Sequence, residues 1–277
     1  MWKLEGTGMA RERIDPDAVL CEGCGYEIGG LGEGYAANAC PECGRALADS
    51  MPGHRKGSPL QREPGRGPGA ICRTWWRVVR HPWRVWDEVQ PAESGELASR
   101  ARVLRLCTNA MAVLPVLALL VSVVYAESIT PVAAALRWMV PLLAGFFVLL
   151  EVLCRIESIG IRTIGRQRGW RVTPGVARAV IAHASVGWLL AAVLIAGGFW
   201  LGRWFQGLVG VGRPLPAGDW LGAIVETAPL LFPAVGFLIG MLVFEALVYV
   251  GVRRMRFVNR VPAGGEADLA VLDEPRP

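Results

Sequence analysis

Long apolar stretches dominate the second half of the chain, and they predict helices that are apolar on every side. Three of these stretches contain no charged residue: residues 106–126, 179–202 and 227–244. A fourth, residues 131–154, contains one arginine near its start and one glutamate near its end. Because a helix rises about 1.5 Å per residue, a run of about 20 residues matches the hydrocarbon core of a bilayer.

These stretches favour membrane spans over the buried helices of a soluble bundle, because a helix in a soluble bundle normally keeps a polar face. We therefore predict a mainly α-helical, polytopic membrane bundle within residues 104–256. Its four spans are expected at about residues 106–126, 132–154, 179–202 and 228–252.

The region between residues 204 and 224 is the candidate for a fifth span. It contains Arg213, Pro214, Pro216 and Asp219, which cut its apolar runs short. Charge and helix-breaking proline disfavour a span. We predict an interfacial or re-entrant segment there.

Composition supports a membrane protein and gives its orientation. Hydrophobic residues make up 53% of the chain and charged residues 19%, with a mean hydropathy of +0.37. Six arginines lie in residues 155–178 and four in residues 253–260, whereas the opposite loops have few. Because cytoplasmic loops are enriched in Lys and Arg, we predict a multi-pass protein of the cytoplasmic membrane with both termini in the cytoplasm.

Four cysteines ahead of the spans form two C-x-x-C pairs, Cys21 with Cys24 and Cys40 with Cys43, separated by 15 residues. This spacing is typical of a zinc ribbon, because each pair can direct two thiolates to one tetrahedral ion. We predict a small ribbon of short β-hairpins over residues 21–48 with structural zinc as its cofactor. A redox pair and an iron–sulfur centre are the alternatives.

Two local sequences carry a resemblance to known proteins. The cysteine pairs lie in the segments LCEGCGYEIGGL (residues 20–31) and ACPECG (residues 39–44). These segments resemble the zinc ribbons that precede membrane domains in many bacterial proteins, notably from planctomycetes. The segment VRHPWRVW (residues 79–86) resembles the basic entry to YIP-type membrane domains. The resemblances imply a bacterial inner-membrane protein with a helical membrane domain, usually of five spans, and no established catalytic residues.

Residues 49–103 connect the cysteine pairs to the first span and are rich in arginine and tryptophan. Glycine and proline are dense in residues 57–69, which predicts a flexible linker. Cations interleaved with tryptophans favour contact with anionic lipid head groups. The predicted lipid-surface residues are Arg73, Trp75, Trp76, Arg77, Arg80, Trp83, Arg84 and Trp86. Single-stranded nucleic acid is a second possible ligand, but the absence of a base-reading motif disfavours it.

Four polar residues lie at similar depth in the four predicted spans: Asn109, Glu151, His183 and Glu245. Polar groups at this depth are expensive and should face the bundle interior or water. They predict either an ion or proton site or a set of interhelical hydrogen bonds. In the second interpretation, Glu151 pairs with Arg155 one turn later.

The motifs of common enzymes are missing from the sequence: there is no P-loop, no dinucleotide fingerprint and no paired nucleophile and base. We therefore expect a non-enzymatic membrane protein that presents the zinc ribbon to a protein partner as an adaptor or scaffold. The alternatives are a transporter or channel for a small ion or solute, and a membrane-tethered nucleic-acid binder. Residues 1–20 are predicted to be flexible and residues 257–277 to be a disordered tail.

Overall fold

Helices form most of this structure, a computed structural model that describes residues 18–29, 39–63, 67–93, 95–127, 132–210 and 220–259. A short 3₁₀ turn at Leu47–Ser50 precedes them. The helices are α1 (Pro59–Arg62), α2 (Pro68–Arg80), α3 (Pro82–Glu88), α4 (Gly95–Glu127), α5 (Val132–Gln167), α6 (Pro174–Ala184), α7 (Val186–Gly210) and α8 (Trp220–Met255).

Four helical segments are long and apolar enough to cross a membrane, which confirms the predicted fold class. They are Gly95–Val123, Arg137–Gln167, Pro174–Val209 and Ile224–Met255. The second segment continues well past residue 154, where the sequence predicted its end. Its helix ends at Gln167, and the positive φ of 71° at Gly169 lets the Trp170 amide bond back to the Gly165 carbonyl at 2.8 Å.

The third span consists of two helices, α6 and α7, that meet at Ser185. The Thr173 hydroxyl accepts from the Val176 amide at 3.1 Å, and Pro174 occupies the first turn, so α6 has a well-defined start. At the junction the Ser185 hydroxyl donates to the Ala182 carbonyl at 2.8 Å. Hydroxyls that bond back to the preceding turn commonly bend helices in this way.

The predicted interfacial segment falls only partly within the described structure. Helix α7 continues to Gly210, and α8 begins at Trp220. Residues 204–210 therefore belong to α7 and residues 220–224 to α8, the helices of the third and fourth spans. Residues 211–219, which contain the charges and prolines behind that prediction, lie outside the described residues.

Helices α7 and α8 pack along each other extensively, and glycines permit the close approach. A Cβ placed on Gly198 would lie 2.8 Å from the carbonyl carbon of Phe232. On the facing helix, a Cβ on Gly236 would lie 2.6 Å from the Leu194 carbonyl oxygen. Small residues promote such backbone contacts between membrane helices, because the hydrophobic effect contributes little to the association of helices within lipid.

Replacing Gly198 with alanine is expected to separate α7 from α8 and to destabilise the bundle by about 2 kcal/mol, because the new methyl group overlaps backbone atoms. Gly197→Ala is the matched control, since a Cβ at Gly197 meets no atom within 4 Å. The control should be neutral or slightly stabilising, because alanine favours helix over glycine. Thermal unfolding in detergent compares the two, and equal melting temperatures would contradict this packing.

The segment that joins the cysteines to the first span is packed against the bundle, which corrects the prediction of a flexible linker for residues 57–63. Leu60 is only 2% exposed and Ser58 is fully buried. The Ser58 amide donates to the Gln61 side chain at 2.9 Å. Arg100 of α4 donates to the backbone carbonyls of residues 60, 61 and 63. Glycine and proline here specify turns, and the guanidinium satisfies the carbonyls that end α1.

Candidate metal centre

The four cysteines of the two C-x-x-C pairs converge on one point. Their sulfur atoms all lie within 4.8 Å of one another. The Sγ atoms of Cys21 and Cys43 are 3.6 Å apart, as are those of Cys24 and Cys40. A tetrahedral ion with bonds of about 2.3 Å to sulfur would place its ligands about 3.8 Å apart. The group could therefore hold a metal ion.

The two halves of the site repeat the same local geometry. Each first cysteine accepts a bond at its carbonyl from the glycine four residues later: Gly25 to Cys21 at 2.8 Å and Gly44 to Cys40 at 2.9 Å. Both glycines have positive φ, 86° and 72°, which residues with a Cβ rarely adopt. These turns aim the two sulfurs of each pair to the same side.

Isolated antiparallel bridges, rather than extended strands, close each turn in the described residues. Leu20 pairs with Glu27, and Ala39 pairs with Ala46. The predicted β-hairpins are thus reduced to one bridge on each side of the metal site. Residues 30–38, between the two halves, lie outside the described residues. We call residues 18–29 and 39–51 the cysteine module.

The thiols of the module differ in acidity. Burial raises the pKa of Cys21, but hydrogen bonds from the backbone amides of Cys24 and Gly23 and from neighbouring thiols outweigh it and bring the pKa to about 7. Burial raises the pKa of Cys24 to about 12. The lowered pKa of Cys21 favours its thiolate, which is the form that binds metal.

The hydrophobic core of the module is very small. Its buried apolar residues are Cys21, Ile28, Cys40 and Leu47, and two of these are candidate ligands. A unit of this size buries too little surface to be stable by itself. Metal binding and contacts with the rest of the chain are the two available sources of stability.

A buried ion pair joins the module to the helices that precede the first span. Glu22, inside the first C-x-x-C turn, pairs with Arg55 at 2.7 Å, and both side chains are at most 4% exposed. The same guanidinium donates to the backbone carbonyls of Trp86 at 2.5 Å and Val89 at 3.1 Å. It also reaches the carbonyl of Arg254 at the end of α8, at 3.3 Å. One arginine thus links the module, α3 and α8.

A second set of hydrogen bonds attaches the module to the residues that follow α8. The Asn259 side chain accepts from the Leu20 amide at 2.9 Å and donates to the Leu20 carbonyl at 2.7 Å and the Ser50 carbonyl at 2.5 Å. Arg171, from the turn between α5 and α6, donates to Asn259 Oδ1 at 2.5 Å and to the Ala18 carbonyl. The α5–α6 turn and the end of α8 therefore both hold the module.

This contact corrects the predicted disordered tail for its first three residues. Phe257, Val258 and Asn259 are each less than 9% exposed. A Cβ on Gly25 would lie 2.8 Å from the Phe257 ring, so the turn of the module packs directly on this aromatic side chain. Residues 260–277 lie outside the described residues, as do residues 1–17 of the predicted flexible amino end.

The structure brings together only two of the four polar residues predicted within the spans. Asn109 of α4 donates to Glu151 of α5 at 2.7 Å, and Glu151 pairs with Arg105 at 3.0 Å rather than with Arg155. These bonds join α4 to α5 and match the interhelical hydrogen bonds that were one of the two interpretations.

The other two polar residues lie elsewhere. His183 is 2% exposed, its Nδ1 is 2.8 Å from the Ala179 carbonyl oxygen, and its ring packs edge-on against Trp86 at 6.0 Å. Glu245 is exposed on the surface of α8. Among the described residues, no hydrogen bond or ion pair joins either of them to Glu151. A shared ion site built from Glu151, His183 and Glu245 is not present in this arrangement.

The predicted lipid-surface residues divide into an outer and an inner set. Trp86 is fully buried, which corrects its assignment, because it packs in the core against α6 and α8. Trp75 is half-buried and donates to the Thr108 hydroxyl at 2.8 Å. Arg73 pairs with Glu63 at 2.6 Å, and Arg77 pairs with Glu88 at 2.7 Å. The members that remain exposed are Arg73, Trp76, Arg80, Trp83 and Arg84.

Comparisons of the chain with protein-family models, curated proteins and solved structures found no match. The resemblances to planctomycete zinc ribbons and to YIP-type domains therefore stay predictions.

Proposed function

We propose that this chain is a non-enzymatic integral membrane protein that holds a zinc-stabilised interaction module against the cytoplasmic end of its four-helix bundle. In this role it acts as an adaptor or scaffold for a protein partner. The observation that carries the proposal is a four-cysteine centre attached to the bundle by buried polar contacts from three separate parts of the chain.

Zinc is the metal that best fits this donor set. Four sulfur ligands in a tetrahedral arrangement are typical of structural zinc sites. Such a site is closed, because no coordination position is left for water or substrate. This property supports a structural role over a catalytic one.

The orientation proposed here follows from where the arginines lie. The α5–α6 turn and the end of α8 carry many of them, and both contact the cysteine module. Positively charged ends are retained in the cytoplasm, where thiols also stay reduced. We therefore place the module and both termini in the cytoplasm, next to the inner membrane of a bacterium.

The module leaves one surface free for a partner in the described structure. Tyr26, Glu27 and Glu42 are exposed, whereas Gly25 packs on Phe257 and Leu20 bonds to Asn259. An exposed aromatic ring and exposed carboxylates can supply both apolar contact area and charge-based selectivity. This surface is the proposed interaction site.

In-cell crosslinking of the full-length protein tests the proposal with a Tyr26→Ala/Glu42→Ala variant. Both side chains lie on the surface, so the variant should keep its metal and its stability. We expect it to lose crosslinks to a protein partner that the unchanged chain retains. An Arg162→Gln/Arg166→Gln variant of α5 is the control and should keep those crosslinks. An unchanged partner set in the module variant would refute the interaction role.

A further inference from the structure

A cleft of about 430 Å³ lies between the cysteine module and the carboxyl-terminal end of α8. Gly23 and Arg45 of the module form one wall, and Trp83 of α3 contributes to another. The remaining wall is formed by the last turns of α8 and the residue after it, through Tyr249, Arg253, Arg254 and Arg256. The predicted functional residues include only one member of this cleft, Trp83.

The cleft carries an excess of positive charge. Four arginines line it, and Glu22, the one acid among its lining residues, is already paired within the buried network. Arg254 lies 3.4 Å from a carboxylate oxygen of Asp87. Within the described part of the chain, Arg45 and Arg253 form no ion pair with a carboxylate. A tetrathiolate zinc centre would add a formal charge of about −2, which four guanidiniums exceed.

The cleft also lies where a membrane helix leaves the lipid. Tyr249 and Trp83 are each 59% exposed, and such amphipathic rings concentrate at the membrane–water interface. Arg253 follows Tyr249 by one helical turn and donates to its hydroxyl at 3.2 Å. The apolar part of α8 ends here, so we expect the arginines to lie at the level of the lipid phosphates.

We infer that this cleft binds the phosphate group of an anionic phospholipid. Guanidinium groups are suited to this ligand, because their planar forks hold phosphate oxygens with paired, charge-assisted hydrogen bonds. The aromatic rings lie beside the glycerol and upper acyl region of the bound lipid. The site does not depend on whether the module recruits a protein partner.

Native mass spectrometry of the full-length, metal-loaded protein in detergent tests this site. The probes are phosphatidylglycerol and phosphatidylcholine with identical acyl chains, titrated separately. We expect tighter binding of the first phosphatidylglycerol molecule, and about a tenfold loss of that affinity in Arg45→Gln/Arg253→Gln. Phosphatidylcholine binding should stay unchanged. The matched control, Arg162→Gln/Arg166→Gln, removes two arginines of α5 outside the cleft and should change phosphatidylglycerol affinity less than about twofold.

Two further measurements distinguish loss of the lipid site from loss of the metal and from binding of free phosphate. If the double variant loses its metal, Arg253→Gln alone is used, because Arg253 hydrogen-bonds only within α8 in the described contacts. Millimolar inorganic phosphate is added as a competitor and should not displace phosphatidylglycerol. Equal affinities in the cleft and control variants would overturn the site. Displacement by phosphate, together with no preference for phosphatidylglycerol, would overturn the lipid assignment in favour of a soluble anion.

Discussion

Replacing Cys40 with serine is expected to remove the metal and to unfold the cysteine module, while the membrane helices stay folded. If the proposed ion is zinc, its content should fall from about one ion per chain to well below that, because a structural site needs all four thiolates. The module then loses its main stabilisation, which amounts to about 10–16 kcal/mol in model zinc fingers. The main helical core has its own buried residues, among them Trp188 and Phe244, and does not depend on the metal.

Elemental analysis and limited proteolysis in detergent check this expectation. Cleavage should appear within residues 18–29 and 39–51 of the Cys40→Ser protein and be absent from those residues in the unchanged one. Cys72→Ser is the control, because Cys72 is exposed on α2 and takes no part in the four-cysteine group. A Cys40→Ser protein with full zinc content and unchanged cleavage would show that these cysteines do not form the site.

The second large effect is expected at Arg55. Replacing it with methionine leaves the Glu22 carboxylate buried without its partner and also removes hydrogen bonds to three backbone carbonyls. Breaking a buried ion pair from one side typically costs about 3–5 kcal/mol. We therefore expect the module to detach from α3 and α8, with a clear fall in the melting temperature of the protein.

A double-mutant cycle separates the ion pair from the packing around it. The Glu22→Gln/Arg55→Met protein has no unpaired buried charge, so it should recover part of the stability that Arg55→Met loses. Arg62→Gln shows the effect of removing an arginine from a partly exposed ion pair. The pair of Arg62 with Glu88 should contribute at most about 1 kcal/mol to stability. A similar small effect for Arg55→Met and Arg62→Gln would contradict the role assigned to Arg55.

The sequence was sufficient to predict the spans and the cysteine centre, because both leave a local signal. An uninterrupted apolar run of about 20 residues marks a span whatever surrounds it. The two C-x-x-C-Gly turns specify their own geometry within five residues each. Helix ends were predicted less well, since arginine favours helix almost as strongly as leucine does and lets α5 continue to Gln167.

The attachment of the module could not be predicted, because it depends on single polar residues far apart in the chain. Leu20 and Asn259, which exchange two hydrogen bonds, are separated by 239 positions. Asn259 lies in a segment whose composition resembles a disordered tail, and Arg55 lies in one that resembles a linker. From the sequence alone, Glu22 would be expected to be a solvent-exposed residue of its turn. Only the folded arrangement shows that these residues bury and satisfy one another.

Hydrogen–deuterium exchange of the full-length protein in lipid nanodiscs, with and without bound metal, tests the central claim most directly. The Leu20 amide reports on the attachment of the module, since it bonds to Asn259, and the Arg171 amide reports on the α5–α6 turn, since it bonds to the Arg256 carbonyl at the end of α8. With metal bound, both should exchange slowly. After chelation, the Leu20 amide should lose its protection together with the rest of the module, while α7 and α8 keep theirs. Fast exchange of the Leu20 amide in the metal-bound protein, or protection of the module that survives complete metal removal, would contradict a metal-dependent module held against the membrane bundle.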